Sequence, residues 1–382
     1  MTLTNFVSNN HIETPAYIYD ISHLKNNLAK AKSAADQFNF HIHYAIKANN
    51  NSRILDVVQS FGFGADCVSG REIELAISSG FSANDIFFAG VGKTDEEIII
   101  ALNSEISAFN VESIHELQVI GEWAKLLNKT AKIALRINPD VDAHTHQYIT
   151  TGLQENKFGI FSHEITNALD VIRNNQNLHF VGLHFHVGSQ ITDLDVFKNL
   201  CLKVNEWNHW FSERGFVPEI LNLGGGLGVD YHHPDAVSED YFFRFFSIFS
   251  QFLEPFPKQQ IHFELGRSLV ASCGSLLSKV LYIKHGLSKN FAILDAGMTE
   301  LLRPALYQAF HSIQVLNNSA SNTNKYDVVG PICESSDCFG KDILLPELNR
   351  GNIVAIRTAG AYGEVMSSRY NLRKPLSIYF IE

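Results

Sequence analysis

The amino-acid sequence predicts an α/β fold: a barrel of eight parallel strands, TIM-like in plan, joined to a C-terminal antiparallel β domain that also takes the N-terminal strand. Three observations carry this. Eight short apolar runs alternate with helical patterns between His41 and Glu264. After Arg267 the rhythm changes to apolar runs without long intervening helices. Six of the eight strand ends in the first region carry a polar or glycine-rich group, which packing alone does not explain. An open doubly wound sheet seldom needs eight evenly spaced units, so closure is the better reading.

Taken in order, Thr14–Asp20 is a first strand, set apart from the barrel, and Ile21–Phe38 is an amphipathic helix with Leu24, Leu28 and Ala31 at helical spacing. The barrel strands are predicted at His41–Ile46, Gly64–Cys67, Ile86–Ala89, Ala108–Val111, Lys132–Ile137, Val181–Phe185, Ile220–Leu223 and Ile261–Glu264. Helical patterns at Ser52–Gln59, Arg71–Ser78, Asp95–Leu102, Ser113–Leu127, His163–Arg173, Leu194–Glu213 and Tyr241–Phe252 connect them. Thr94 with Glu97 forms a capping box, and Ser113 with Glu116 marks another helix start. Beyond Arg267, strands are expected at Ser268–Ile283, Phe291–Asp295, Lys325–Val329, Asn352–Thr358 and Pro375–Ile381, with Asn317–Asn324 a polar loop. The domains are expected at 21–266 for the barrel, and 1–20 with 267–382 for the β domain.

At 382 residues, 45% hydrophobic and 18% charged, the chain can bury large cores. A net charge of -10 disfavours nucleic acid as a partner. Five cysteines without metal-type pair spacing fit free thiols in a reducing compartment. Met1–Asn10 lacks the basic-then-apolar pattern of a secretory signal, and no stretch is apolar and long enough to span a bilayer. The expectation is a cytoplasmic protein without membrane contact.

Active sites of such barrels lie at the C-terminal strand ends. There the sequence puts Lys47, Asp66, Arg136 and Asn138, His184 and His186 with Gly188-Ser189, Gly224–Gly228, and Glu264-Leu265-Gly266-Arg267. A lysine at the mouth of a buried strand is desolvated, and its neutral amine can form a Schiff base with a carbonyl compound. The glycine run after the seventh strand suits a phosphate, because glycines let backbone N–H groups approach an anion. It lacks the last glycine of a dinucleotide fingerprint. Gly92-Lys93-Thr94 resembles the end of a P-loop, but Phe87 stands where that motif needs glycine.

The pairs His41/His43, His144/His146 and His184/His186 each put two side chains on one face of a strand, as zinc-binding barrel hydrolases do. Against that reading, a lysine at the first strand end and Glu-x-Gly-Arg at the last are poor ligand sets. Lysine for an aldehyde, glycines for a phosphate and a buried carboxylate for a pyridine nitrogen together suggest pyridoxal 5'-phosphate, with a histidine available to stack on the ring.

At this point the chain resembles the alanine-racemase-like, fold type III pyridoxal phosphate enzymes, and within them the diaminopimelate decarboxylases. The resemblance covers nearly the whole chain. It rests on Tyr44–Asn49, Gly64–Ser69, Ile137-Asn138-Pro139, Asp142–His146, Glu155–Gly159, Gly182–Gln190, Gly224–Gly228, Glu264–Arg267, Cys333–Asp337 and Gly360–Gly363. Ser336 stands where many members have glycine.

The resemblance implies decarboxylation of meso-2,6-diaminopimelate to L-lysine, the last step of lysine biosynthesis. It implies Lys47 as the residue holding the cofactor and Cys333 as proton donor, reaching in from the partner subunit of a homodimer. Glu264 would face the pyridine nitrogen and His186 would stack on the ring. Ser189, Gly225, Gly226 and Tyr362 would hold the phosphate, with Asp66, Gly266 and Arg267 completing the cofactor pocket. Arg267, Arg303, Tyr307, Glu334 and Tyr362 would meet the substrate. The competing readings are a related decarboxylase of a carboxylated polyamine, a zinc-dependent barrel hydrolase, and a cofactor-free relative that only binds a partner protein.

Overall fold

A computed structural model describes residues 2–139, 157–236, 238–318 and 320–382. The motifs at Asp142–His146 and Glu155-Asn156 fall outside the described residues. The chain divides into two compact units. One comprises Leu28–Gly228 and Ser238–Gly266. The other comprises Met1–Asn27, Val229–Val237 and Arg267–Glu382.

The first strand, β1 (Ala16–Asp20), belongs to the second unit. In the first unit, β2 (Phe40–Ala45), β3 (Gly64–Cys67), β4 (Ile86–Phe88), β5 (Ala108–Val111), β6 (Ala131–Arg136), β7 (Leu178–His184), β8 (Ile220–Asn222) and β9 (Gln260–Leu265) form a closed barrel. Every neighbouring pair is parallel, and β2 closes the ring on β9 with His43 opposite Glu264. The strands are short and apolar because both faces are covered. Phe87, Ala108 and Val181 pack together, and the helix Tyr241–Phe252 buries Phe242, Phe245, Phe246 and Phe249. Thr94 and Glu97 form the expected capping box, and Ser113 accepts from the Glu116 amide. The P-loop-like lysine, Lys93, is a packing residue: its buried ammonium donates to Glu116 at 2.6 Å.

In the second unit the strands are β1, β10 (Gly274–His285), β11 (Asn290–Leu294), β12 (Ile313–Val315), β13 (Thr323–Val329), β14 (Cys338–Pro346), β15 (Ile353–Ile356) and β16 (Ser377–Ile381). They form one sheet in the order β12-β15-β10-β11-β13-β14, with β1 bridging β10 and β16. Most pairs are antiparallel, while β1/β16 and β11/β13 are parallel. Ile18, Leu277, Leu316, Ala355 and Ile381 form its core, under Leu3, Phe6 and Val7 of the helix Leu3–Asn9.

The predicted strand Ser268–Ile283 is corrected: Arg267–Val270 is a short helix, and the strand starts at Gly274. An apolar run only a few residues long has no period that separates the two. β12, β14 and the helix Leu3–Asn9 are additions to the elements the sequence predicts. β14 is broken up by Lys341 and Asp342, the latter at φ +54°. No helix among the described residues is long and apolar enough to cross a membrane.

The first histidine pair lies at the start of β2, away from the strand mouths. Buried His43 donates through Nδ1 to the Asp85 carbonyl at 3.0 Å, so its Nε2 accepts from His262 Nδ1 at 2.7 Å. Among the described residues no group of three or more His, Cys, Asp or Glu could hold a metal ion. Burial lowers the His43 pKa to about 4, against the pull of Glu264 and the Asp85 carbonyl. The folded state therefore binds this proton less readily than the unfolded chain. The stabilising difference is complete above about 6.5 and is lost as pH falls through 4. His43→Gln should flatten the dependence of stability on pH between those values, removing on the order of 3 kcal/mol of pH-dependent stability. Denaturant titrations of both proteins at pH 7 and pH 4.5 check this; parallel pH profiles would contradict it.

Candidate active site

The barrel unit gathers its polar side chains at the C-terminal strand ends. β2 ends at Ala45, and a 3-10 turn, Ile46–Ala48, carries Lys47 past the strand. The sequence predicts a desolvated lysine. Instead the turn leaves its side chain 37% exposed and gives it a carboxylate partner, Lys47 Nζ donating to Asp66 Oδ2 at 2.5 Å. Asp66 lies in β3 with no exposure at all. Burial, and then the nearby Glu264 charge, push its pKa up to about 7 in spite of Lys47. Its Oδ1 is buried with no hydrogen-bond partner among the described residues.

Glu264 on β9 is held from three other strands. Oε1 accepts from Asn222 Nδ2 at 2.7 Å and from Asn110 Nδ2 at 3.0 Å, and Oε2 lies 3.1 Å from His184 Nε2. Burial alone would raise its pKa. His184, by charge and hydrogen bond, and then Lys47 outweigh burial and hold it below the usual carboxylate range. It is an ionised acceptor in a dry setting. His184 Nδ1 is left buried with no partner among the described residues.

His186 lies just past β7. Its Nδ1 accepts from the Gly225 amide at 3.3 Å, and burial followed by the Arg136 charge lowers its pKa to about 3. It is a neutral ring. Arg136 itself is tied to Glu112 at 2.7 Å, whose other oxygen accepts from Gly159 N at 2.8 Å.

The glycine run after β8 forms a bed that side chains cannot enter. A Cβ on Gly225 would meet the Glu264 carbonyl oxygen at 1.9 Å. Gly226 sits at φ +110°, a conformation that favours glycine, and a Cβ there would meet the Gly188 carbonyl oxygen at 2.7 Å. Ile191 N donates to Gly226 O and Gly228 N to Ile191 O, both at 2.9 Å, so the loop carrying half-buried Ser189 is zipped to the glycine run.

The β unit makes its own polar cluster. Arg267, Arg303, Tyr231 and His311 are all buried. Arg267 Nη1 donates to Tyr231 Oη at 2.7 Å, and its guanidinium lies 4.8 Å from the Tyr362 ring centre. Tyr362 has φ +55°, a strained backbone for an aromatic residue. Arg303 opens the short helix Arg303–Tyr307, which Tyr307 closes. Cys333 and Glu334 are both exposed; Glu334 accepts from Tyr370 Oη at 3.0 Å. Asp337 fixes their loop by accepting from Met298 N at 2.6 Å and Ile332 N at 2.7 Å. Ser336 lies outside the left-handed backbone region, so a side chain fits where related motifs have glycine.

The sequence predicts Lys47, Asp66, His186, Ser189, Gly225, Gly226, Glu264 and Gly266 around the barrel mouth. The structure brings Lys47, Asp66, His186, Gly225 and Glu264 into one network. It adds Asn110 and Asn222, lone polar residues in apolar strands, which no pattern announces. Tyr231 and His311 likewise carry no signal in the sequence.

Residues 22–271 match the family model for the pyridoxal-binding domain of pyridoxal-dependent decarboxylases. The chain is 51% identical over 364 residues to a diaminopimelate decarboxylase of Bacteroides thetaiotaomicron, covering 95% of this chain and 94% of that one. It is 40% identical to one from Aquifex aeolicus, covering 97% and 87%. The structure of diaminopimelate decarboxylase from Helicobacter pylori complexed with L-lysine superposes with a TM-score of 0.91 at 40% identity, covering 99% and 94%. With this identity spread along both units, the chain belongs to the pyridoxal-dependent decarboxylases and, among them, to the diaminopimelate decarboxylase family.

Proposed function

We propose that the protein decarboxylates meso-2,6-diaminopimelate to L-lysine with pyridoxal 5'-phosphate held on Lys47. The observation that carries the reading is the Lys47–Asp66–Glu264–His186 network beside a glycine bed that no Cβ could enter. The residues fit the cofactor: an amine for its aldehyde, a small-residue bed for its phosphate, and an ionised, dry carboxylate for its ring nitrogen.

When bound, pyridoxal phosphate supplies an electron sink for the pair left behind as carbon dioxide departs. Lys47 would hold it through its amine, on the 3-10 turn that follows β2. Glu264, kept ionised by Asn110, Asn222 and His184, would face the ring nitrogen and favour its protonated form. His186, neutral at working pH, would stack on the ring without adding a competing charge. Ser189, Gly225, Gly226 and Tyr362 would hold the phosphate, and Asp66, Gly266 and Arg267 would complete the pocket. Arg267, Arg303, Tyr307, Tyr362 and Glu334 would take the substrate, Arg303 pairing with the distal carboxylate and Glu334 with the distal ammonium. Cys333, an exposed free thiol, would be the proton donor. Its exposure suits a donor that serves the partner subunit of a homodimer. Five free thiols support a cytoplasmic setting.

The test is carbon dioxide release from a panel of meso-diaminopimelate, ornithine and a carboxylated polyamine. Release from meso-diaminopimelate well above the others is expected. Equal or greater release from the carboxylated polyamine would favour the alternative decarboxylase.

A further inference from the structure

We infer that His311 is a positioning residue that aims Arg303 at a ligand carboxylate, with Tyr231 as the floor beneath the guanidinium. The inference rests on the proposed function and names how its distal site is built.

Arg303 is 5% exposed, yet among the described residues no carboxylate pairs with it. A buried arginine is ordinarily paired with an acid. Here its protein partners are neutral. Nη1 donates to His311 Nε2 at 2.8 Å, and the guanidinium hydrogen-bonds the Tyr231 side chain and lies 4.7 Å from its ring centre. Nε is buried with no hydrogen-bond partner among the described residues. An arginine only donates, so His311 Nε2 must hold a lone pair. His311 Nδ1 lies 2.9 Å from the Arg357 carbonyl and therefore carries the ring's single proton. Burial, then the Arg303 charge, holds the His311 pKa at about 3, so the ring stays neutral at working pH. The Tyr231 ring stands edge-on to His311 at 5.0 Å, and its hydroxyl is engaged by Arg267.

This arrangement fixes the direction of Arg303 without neutralising it. A carboxylate partner would fix it equally well but would cancel its charge. The charge and the Nε donor are left for an anion brought by the ligand. On the proposed reaction that anion is the carboxylate that L-lysine retains and 1,5-diaminopentane lacks.

The two bonds of His311 can be separated by substitution. His311→Asn keeps a donor for the Arg357 carbonyl and loses the acceptor for Arg303. His311→Gln keeps an acceptor near the position of Nε2. Titration calorimetry of the holoenzyme with L-lysine and with 1,5-diaminopentane reads the difference. His311→Asn should weaken lysine binding roughly tenfold, the loss expected for a hydrogen bond to a charged group, and leave 1,5-diaminopentane binding unchanged. His311→Gln should recover most of the lysine affinity. Equal weakening of both ligands, or a glutamine variant no better than asparagine, would make His311 a structural residue and overturn the inference. If the wild-type protein decarboxylates meso-diaminopimelate while His311→Asn binds lysine as tightly as wild type, the inference falls and the functional reading stands.

Discussion

Lys47→Ala should fold and lose turnover of meso-diaminopimelate by roughly a thousandfold or more, the scale seen when a covalent group is removed from a site that acts as a unit. Folding should survive because the lysine is partly exposed and stands on a turn rather than in the core. The partner it leaves behind, Asp66, is already pushed up to about 7 with the lysine in place, so it can take a proton instead of standing as an unpaired buried charge. Circular dichroism should therefore match the parent while the carbon dioxide assay falls to background. The same variant tests the shared site. Mixed with inactive Cys333→Ala subunits, it should regain part of the activity, because one site of a mixed dimer keeps both residues. No recovery after demonstrated subunit exchange would remove Cys333 from the partner's site.

Arg303→Ala carries the second large effect. The change empties a buried position beside His311 and Tyr231 and, on the proposed function, leaves the substrate's distal carboxylate without its partner. The expected loss is on the order of 2–4 kcal/mol, or roughly thirty- to a thousand-fold in kcat/KM. A surface ion-pair arginine would be worth under about 1 kcal/mol, and the burial of Arg303 sets that possibility aside. The cofactor absorption band should stay as in the parent, since the role proposed for Arg303 is toward the substrate. Ornithine, which lacks the distal carboxylate, should be a poor substrate for the parent. Full efficiency in Arg303→Ala, or ornithine turned over as well as meso-diaminopimelate, would defeat the specificity argument and spare the cofactor argument.

Much of the fold and part of the site are legible in the amino-acid order. Strand period, helix caps and the glycine run are local signals, and they locate the eight barrel strands and most of the helices. Lys47, Asp66 and Glu264 stand out because charged residues at the ends of apolar strands are uncommon. The rest depends on long-range pairing. Asn110 and Asn222 matter because they converge on one oxygen of Glu264 from two other strands. His311 matters because its two ring nitrogens face Arg303 and the Arg357 carbonyl. A histidine read alone offers no means of telling that from a packed or surface ring. In the β unit, the four-residue helix Arg267–Val270 and the interrupted strand Cys338–Pro346 are too short or too polar to show a period.

The most direct measurement of the central claim is product analysis of purified holoenzyme supplied with meso-diaminopimelate, counting L-lysine and carbon dioxide together. Equal amounts of the two, dependent on pyridoxal phosphate and absent in Lys47→Ala, are expected. Carbon dioxide without L-lysine, or no carbon dioxide from meso-diaminopimelate while another amino acid is consumed, would contradict it.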